Sequence, residues 1–365
     1  MRCATICRTG FRRECCQQPH SAGDGMIARI PVLYILLAAY RGERFLSDLL
    51  DSLLGQSDPH WRLLVSDDGS DDDTLSILHR YAAVDTRIII IERPSVRLGA
   101  TANFGFLLHN FLALGGEWFA LCDQDDIWHP YKIERLRSTM QDYIAAPEPH
   151  LAFSDLNWID EHGRQLAPSH FAATAVGQPS QAATVFALLH NLVPGCAMVG
   201  NRALAWQALP FPECIAHHDW WLLTLAAAGG KVLTVNEALI CYRQHGGNLV
   251  GASTVRRRIV DLLTHPTRLV RHARLQYWGA IAQGKALHKR LGSEQLASSW
   301  REALAVLETG LAAPSRWRRM RTIMSGALAR YGFARRVFML IGALQTPQPC
   351  QGREICCHGL EAGDR

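Results

Sequence analysis

The chain has 365 residues, 48% hydrophobic and 19% charged, which gives a globular protein with a sizeable core and excludes a disordered one. Its longest apolar run, IPVLYILLAAY (30–40), is too short to span a bilayer, and the first 26 residues carry arginine and cysteine where a signal peptide would be apolar. The net charge of +5 is uneven: residues 255–345 hold 17 Lys/Arg against 4 Asp/Glu, so the rest of the chain is net −8. An acidic body handling a metal or sugar, joined to a basic segment that faces something anionic, is the arrangement this suggests.

In chain order, VLYILLAAY (32–40) is a continuous apolar run, as expected of a strand buried on both faces. Residues 43–57 follow with Phe45, Leu46, Leu49, Leu50, Leu53 and Leu54 on one helical stripe. WRLLVS (61–66) is a second strand. SDDDTLSILHRYA (70–82) predicts a helix with Ser70 as N-cap and Asp73 three residues on. RIIIIE (87–92) is a third strand, 101–114 a helix, and EWFALCD (117–123) a fourth strand. Strands alternating with helices predict right-handed crossovers and a mainly parallel sheet, with ligands beyond the carboxyl ends of the strands. Three polar clusters stand there: AAYRGE, SDDGSDDD and DQDD.

The last of these gathers Asp123, Asp125 and Asp126. Like charges this close repel, so something positive should offset them. Asp123 and Asp125 are two apart and point to one side of an extended chain, which suits Mg²⁺ or Mn²⁺. Asp126 either joins them or caps the following helix, HPYKIERLRSTMQDYI. Of eleven cysteines, seven lie in the two tails, and Cys122, Cys196, Cys214 and Cys241 are singletons, which favours a reducing, cytoplasmic compartment with thiols packed in the core.

From about residue 30 to 250 the chain resembles a family 2 glycosyltransferase of the GT-A fold. More narrowly, AAYRGERFLSDLLDSLLGQS, VSDDGSDDDT, DQDDIWHPYKIERL, HHDWWL and YRQHGGN, in that order, resemble the bacterial rhamnosyltransferase branch. The resemblance implies a mainly parallel, Rossmann-like sheet flanked by helices over 28–252, followed by a basic helical region over 253–345. Extensions at 1–27 and 346–365 are expected to be unstructured. It implies inverting transfer of a sugar from a nucleoside-diphosphate donor, dTDP-rhamnose or a UDP-sugar, to a glycan or lipid-linked acceptor.

Position by position, Ala39 and Tyr40 match the nucleotide-contacting strand end, and Asp67 and Asp68 the acidic pair that reaches base and ribose. Asn103 matches the pocket wall, and Gly195 in LVPGCAMVGN (192–201) the segment behind the donor sugar. Arg97 is either a base or phosphate contact or a solvated surface arginine. Asp123 is implied to face the ribose or sugar and Asp125 to be the main metal ligand. His245 is a third metal or diphosphate contact or a loop histidine. Asp219, at a helix start whose amides hold it ionised, matches the general base that takes the acceptor's proton. His217 and His218 read as surface or capping residues. Of Trp220 and Trp221, one is expected in the core and one against a sugar face. RQHGGN departs from the QxxRW of processive members, which points to transfer of one or a few sugars.

Beyond residue 255 the resemblance fades. TVRRRIVDLL, RLVRHARLQYW and PSRWRRMRTIM read as amphipathic helices with arginine faces, Arg316, Arg318, Arg319 and Arg321 among them. These faces are either solvated or dock on an anionic membrane surface from the cytoplasmic side. No reader motif supports nucleic acid. Two other classes use the same acidic edge: a metal-dependent nucleotidyltransferase or phosphohydrolase, which leaves HHDWWL unexplained, and a binding protein that has lost turnover.

Overall fold

The computed structural model describes residues 30–92, 96–174, 187–213, 215–246, 266–325, 328 and 333–346. The cysteine-bearing tails, Cys214 and TVRRRIVDLL (254–263) lie outside the described residues.

The elements follow the periodicities of the sequence. β1 (Leu33–Ala39) leads into α1 (Leu46–Leu54), which turns Leu46, Leu49, Leu50 and Leu53 into the core. β2 (Trp61–Asp67), α2 (Thr74–Val84), β3 (Ile88–Ile90), α3 (Ala100–Ala113) and β4 (Trp118–Cys122) complete an alternating half. In it β3, β2, β1 and β4 lie side by side, all parallel. All five residues of β4 are buried, as a strand covered on both faces requires.

The second half is mixed. β5 (Ile127–Trp128), α4 (Lys132–Met140), β6 (His150–Asp160), β7 (Gln165–Ala167), α5 (His170–Thr174), β8 (Met198–Asn201), α6 (Arg202–Ala208), α7 (His218–Gly229) and β9 (Lys231–Gln244) follow. β8 runs antiparallel to both β4 and β6, β9 parallel to β6, and β5 antiparallel to β9. The expected α/β fold with helical extension is present, its parallel sheet continued by a mixed segment.

One helix starts later than its sequence suggests. α2 begins at Thr74 because Ser70 is used elsewhere: its hydroxyl donates to Asp67 and accepts from the Arg41 amide at 2.8 Å. Asp72 takes the local role, accepting from the Thr74 amide at 3.1 Å and its hydroxyl at 2.5 Å.

Four helices close the described chain: α8 (Pro266–Leu291), α9 (Ser298–Val306), α10 (Arg316–Met324) and α11 (Phe333–Leu344). α8 joins the body through Gln283, whose amide donates to Trp220 O at 3.3 Å and Thr224 Oγ1 at 2.5 Å. α11 approaches α8 so closely at Gly342 that a Cβ there would sit 2.4 Å from Ala273 O. Arg319 is no surface arginine: it is 4% exposed and braces α10 on the carbonyls of Ala313, Pro314 and Ala343. No helix among the described residues is long and apolar enough to cross a membrane.

Candidate active site

The carboxyl ends of β2, β1 and β4 are neighbours, so the loops after them form one rim. Gln124 ties two of these loops. Its side chain accepts from the Tyr40 amide and donates to the Tyr40 carbonyl, both at 2.8 Å, joining the end of β1 to the aspartates after β4. Ala39, fully buried, accepts the Asp68 amide at 2.7 Å and ties in the third loop.

The first acidic run is engaged with its own backbone. Asp67 accepts from the amides of Gly69 at 3.0 Å and Ser70 at 2.8 Å. Asp68 accepts from Leu98 and Gly99, both at 2.8 Å. Asn103 is 1% exposed and donates to Ser66 O at 3.0 Å. Asp68, 4% exposed, thus joins Asn103 in building the wall from behind, whereas the sequence placed Asp68 against base and ribose. Arg97 is not simply solvated: its guanidinium lies 3.8 Å from the centre of the Tyr40 ring and 3.8 Å from Asp68. A half-buried aromatic ring under a cation makes a platform at the rim.

The second run is built differently. Asp125 pairs with His245, Oδ2 to Nε2 at 2.7 Å, beside a cleft lined by Arg41, Gly42, Arg44, Phe45 and Gln124. Asp126 caps no helix, since α4 begins at Lys132. It is wholly buried, its Oδ1 accepts the Arg243 amide at 3.1 Å, and its Oδ2 finds no hydrogen-bond donor. Burial first, then the charges of Asp125 and Asp219, pushes Asp123 up to about 7. Burial, with Asp125 and Asp123 adding to it, pushes Asp126 well above the usual carboxylate range.

The offsetting cations are partly built in. Lys132 is fully buried, donates to Cys196 O at 2.8 Å and stands 3.3 Å above the Trp128 ring; burial brings it down to about 8 against the pull of the nearby acidic groups. Arg243, 2% exposed, donates to Asp125 O and Asp48, both at 2.9 Å. The sequence reading missed both, together with Gln124. The signal was present, since all three lie inside the motifs DQDDIWHPYK and YRQHGG.

Asp219 enters from a different element. It is the second residue of α7 and accepts the Trp220 amide at 2.7 Å. Gly195, on the turn before β8, admits it: a Cβ there would lie 3.2 Å from Asp219 Cβ and 3.3 Å from His218 Nε2. His218 is no surface residue. Its ring stacks on Phe104 at 4.0 Å, and burial brings it down to about 4. Both tryptophans are core: Trp220 donates to Ala187 O and Trp221 to Ala208 O at 3.1 Å, so neither meets a sugar.

Oxygens of Asp123 and Asp126 and the Cys196 sulfur lie within 4.8 Å of one another, a spacing that admits one ion. Asp126 is enclosed, however, and burial holds the Cys196 thiol protonated. The hard donor on the cleft is the carboxylate of Asp125, with the His245 imidazole bonded to it.

A parallel sheet whose strand ends carry an acidic cluster, with a further carboxylate at the start of a separate helix, defines the open α/β class, with its ligand site beyond the carboxyl ends of the strands. A profile described as glycosyl transferase family 2 matches residues 34–205. Relatives include the putative teichuronic acid biosynthesis glycosyltransferase TuaG of Bacillus subtilis, 26% identical over 58% of this chain and 79% of that one. Another is the dTDP-rhamnosyl transferase RfbG of Shigella flexneri, 27% identical over 60% of this chain and 74% of that one. Among solved structures, S. aureus TarS 1-349 superposes with a TM-score of 0.51 at 12% identity, covering 80% of this chain and 79% of that one. A longer TarS chain gives 0.50 at 13% identity; this chain covers 48% of its length. Residues 34–205 are a glycosyltransferase family 2 segment, and the chain has the GT-A fold and is a glycosyltransferase.

Proposed function

We propose that the enzyme transfers a sugar, rhamnose favoured, with inversion from a nucleoside-diphosphate donor to a glycan or lipid-linked acceptor in cytoplasmic synthesis of a cell-surface polysaccharide. The observation that carries this is that Asp219, from α7, packs against Gly195, whose neighbour Cys196 has its sulfur within 4.8 Å of oxygens of Asp123 and Asp126 after β4. Carboxylates from two elements on one cleft divide donor from acceptor. The relatives named for teichuronic acid synthesis and dTDP-rhamnosyl transfer favour the polysaccharide and rhamnose readings.

On this reading Tyr40 and Arg97 take the base, Asp67 the ribose, and Asp123 the ribose or sugar. Asp68, Asn103 and Ala39 hold that wall, and Gly195 leaves room for the sugar. Asp125 and His245 would hold Mg²⁺ or Mn²⁺, which when bound supplies positive charge to the departing diphosphate. Asp219 takes the proton of the acceptor hydroxyl as its oxygen bonds to the anomeric carbon and the carbon–diphosphate bond breaks. A diphosphate leaves without protonation, so one carboxylate suffices where a glycoside hydrolase needs two.

The test pairs two variants. Asp219→Asn should keep donor affinity by titration calorimetry and lower kcat by about 10²- to 10⁴-fold. Asp125→Asn should lose metal-dependent donor binding. Transfer at the parental rate by Asp219→Asn places the base elsewhere, and loss of donor binding in that variant moves Asp219 to the donor side. A thermal-shift panel of dTDP-rhamnose and UDP-hexoses identifies the donor, because the bound sugar nucleotide raises stability by mass action.

A further inference from the structure

α10 turns one arginine inward and three outward. The Arg319 guanidinium donates to Ala343 O at 3.0 and 2.7 Å, to Ala313 O at 2.8 Å and to Pro314 O at 2.9 Å. Ile323, four residues on, is fully buried beside it. Together they fix the rotation of the helix. The opposite side then presents Trp317, 80% exposed, and Met324, 55% exposed, seven residues apart and so on one stripe. Arg316, Arg318 and Arg321 are exposed on either side of that stripe. The local sequence has one sign: from Thr309 to Arg353 it holds eight arginines and no acidic residue, and Glu308, on the turn Leu307–Leu311 packed against α10, is paired with His288.

We infer that α10 docks the enzyme on an anionic lipid surface, Trp317 and Met324 entering the headgroup boundary and the three arginines meeting lipid phosphates. An indole has an apolar body and one polar N–H, and it gains most at such a boundary. Anionic headgroups supply the complementary charge that this stretch of chain lacks. A polynucleotide would call for a groove with successive aromatic platforms, whereas α10 is a nine-residue helix bearing one exposed indole. The inference stands on the C-terminal helices and does not depend on the transfer reading.

The experiment is co-sedimentation of the full chain with phosphatidylcholine vesicles, with and without phosphatidylglycerol, at low and high salt. The parent should bind only the anionic vesicles and be released by salt. Arg316→Gln/Arg318→Gln/Arg321→Gln should weaken binding about 100-fold at low salt, at the usual contribution of a basic residue near such a surface. Trp317→Ser should weaken it by a smaller factor. Lys285→Gln/Lys289→Gln, exposed charges on α8, and Trp206→Ser, an indole 70% exposed on α6, should bind like the parent. Unchanged melting temperatures show that the variants fold, and unchanged donor hydrolysis separates this result from any failure of the transfer reading. The inference is overturned if the parent ignores anionic vesicles, if the α8 pair weakens binding as much as the α10 triple, or if the parent prefers single-stranded polynucleotide to the vesicles.

Discussion

The run Asp67–Asp73 after β2 and the run Asp123–Asp126 after β4 have similar compositions and flank the same strand, β1. Their surroundings are opposite. In the first, Asp67 and Asp68 accept from four main-chain amides and Asp72 from the start of α2. In the second, Asp126 keeps an oxygen without a donor, and burial and mutual repulsion push Asp123 and Asp126 upward. A carboxylate whose oxygens are taken up by main-chain amides shapes a loop. A buried carboxylate short of donors raises the energy of the free protein, and a cation or ligand relieves that strain. The first run builds its loops, with Asp67 alone assigned to the donor in the proposed reading; in that reading the second run serves the chemistry, with Lys132 and Arg243 placed beside it.

The largest expected effect breaks this balance directly. Lys132→Met keeps much of the side-chain volume but leaves the buried aspartates without their ammonium. Losing the donor to Cys196 O and the charge beside the aspartates outweighs the ammonium's own burial penalty, for a net cost of about 1–3 kcal/mol. Urea denaturation at pH 8 should show a loss of that order, and Mn²⁺ should restore part of it by bringing positive charge back to Asp123 and Asp125. A midpoint equal to the parent's would mean that Lys132 is packing only and that the second run has no internal counter-charge.

A paired substitution sharpens the contrast. Asp68→Asn retains one acceptor oxygen for the two amides of Leu98 and Gly99, so it should cost about 1–2 kcal/mol. Asp123→Asn should go the other way. Its folded pKa, about 7, lies above the ordinary 3.8, so the stability contributed by the protonated form is present at low pH and lost as pH rises through 7. At pH 8 the neutral amide avoids that loss, and the variant should melt above the parent while losing turnover. Opposite signs in the two melts support the comparison, and equal destabilisation defeats it.

Much of this was readable from the chain. The apolar runs 32–40 and 117–123 became β1 and β4 because a parallel strand buried on both faces needs continuous hydrophobicity, and the strand-end clusters fell on the rim. Asp219 could be placed at a helix start from the resemblance of HHDWWL alone. What stayed hidden depends on partners far away in sequence. Lys132 stands beside the aspartates because Cys196, 64 positions on, turns its carbonyl inward; Arg243 does so because its guanidinium meets the carbonyl of Asp125, 118 positions back. Trp220 is core because its indole meets Ala187, and no local pattern distinguishes that from a sugar platform. The twist from parallel to mixed sheet likewise depends on β8 reaching back to β4 across the intervening chain.

The smallest expected effect concerns His218, beside Asp219 at the start of α7. Its ring lies on Phe104 with Asp219 and His217 as its charged or titratable neighbours, and burial brings it to about 4 from 6.5. A histidine with a lowered folded pKa contributes stability that is present above 6.5 and lost as pH falls from 6.5 toward 4, because the unfolded chain takes up the proton first. The full shift would be larger, but the residue is only partly enclosed, so about 1–2 kcal/mol is expected across that window. His218→Phe keeps an aromatic ring against Phe104 and has nothing to protonate. Its melting temperature should therefore fall less than the parent's between pH 6.5 and 4, while the two proteins respond alike above pH 7. Parallel curves through the acid window would show that His218 stays accessible to protons in the folded chain, and that the wall formed by Phe104, Gly195 and α7 is more open than its geometry indicates.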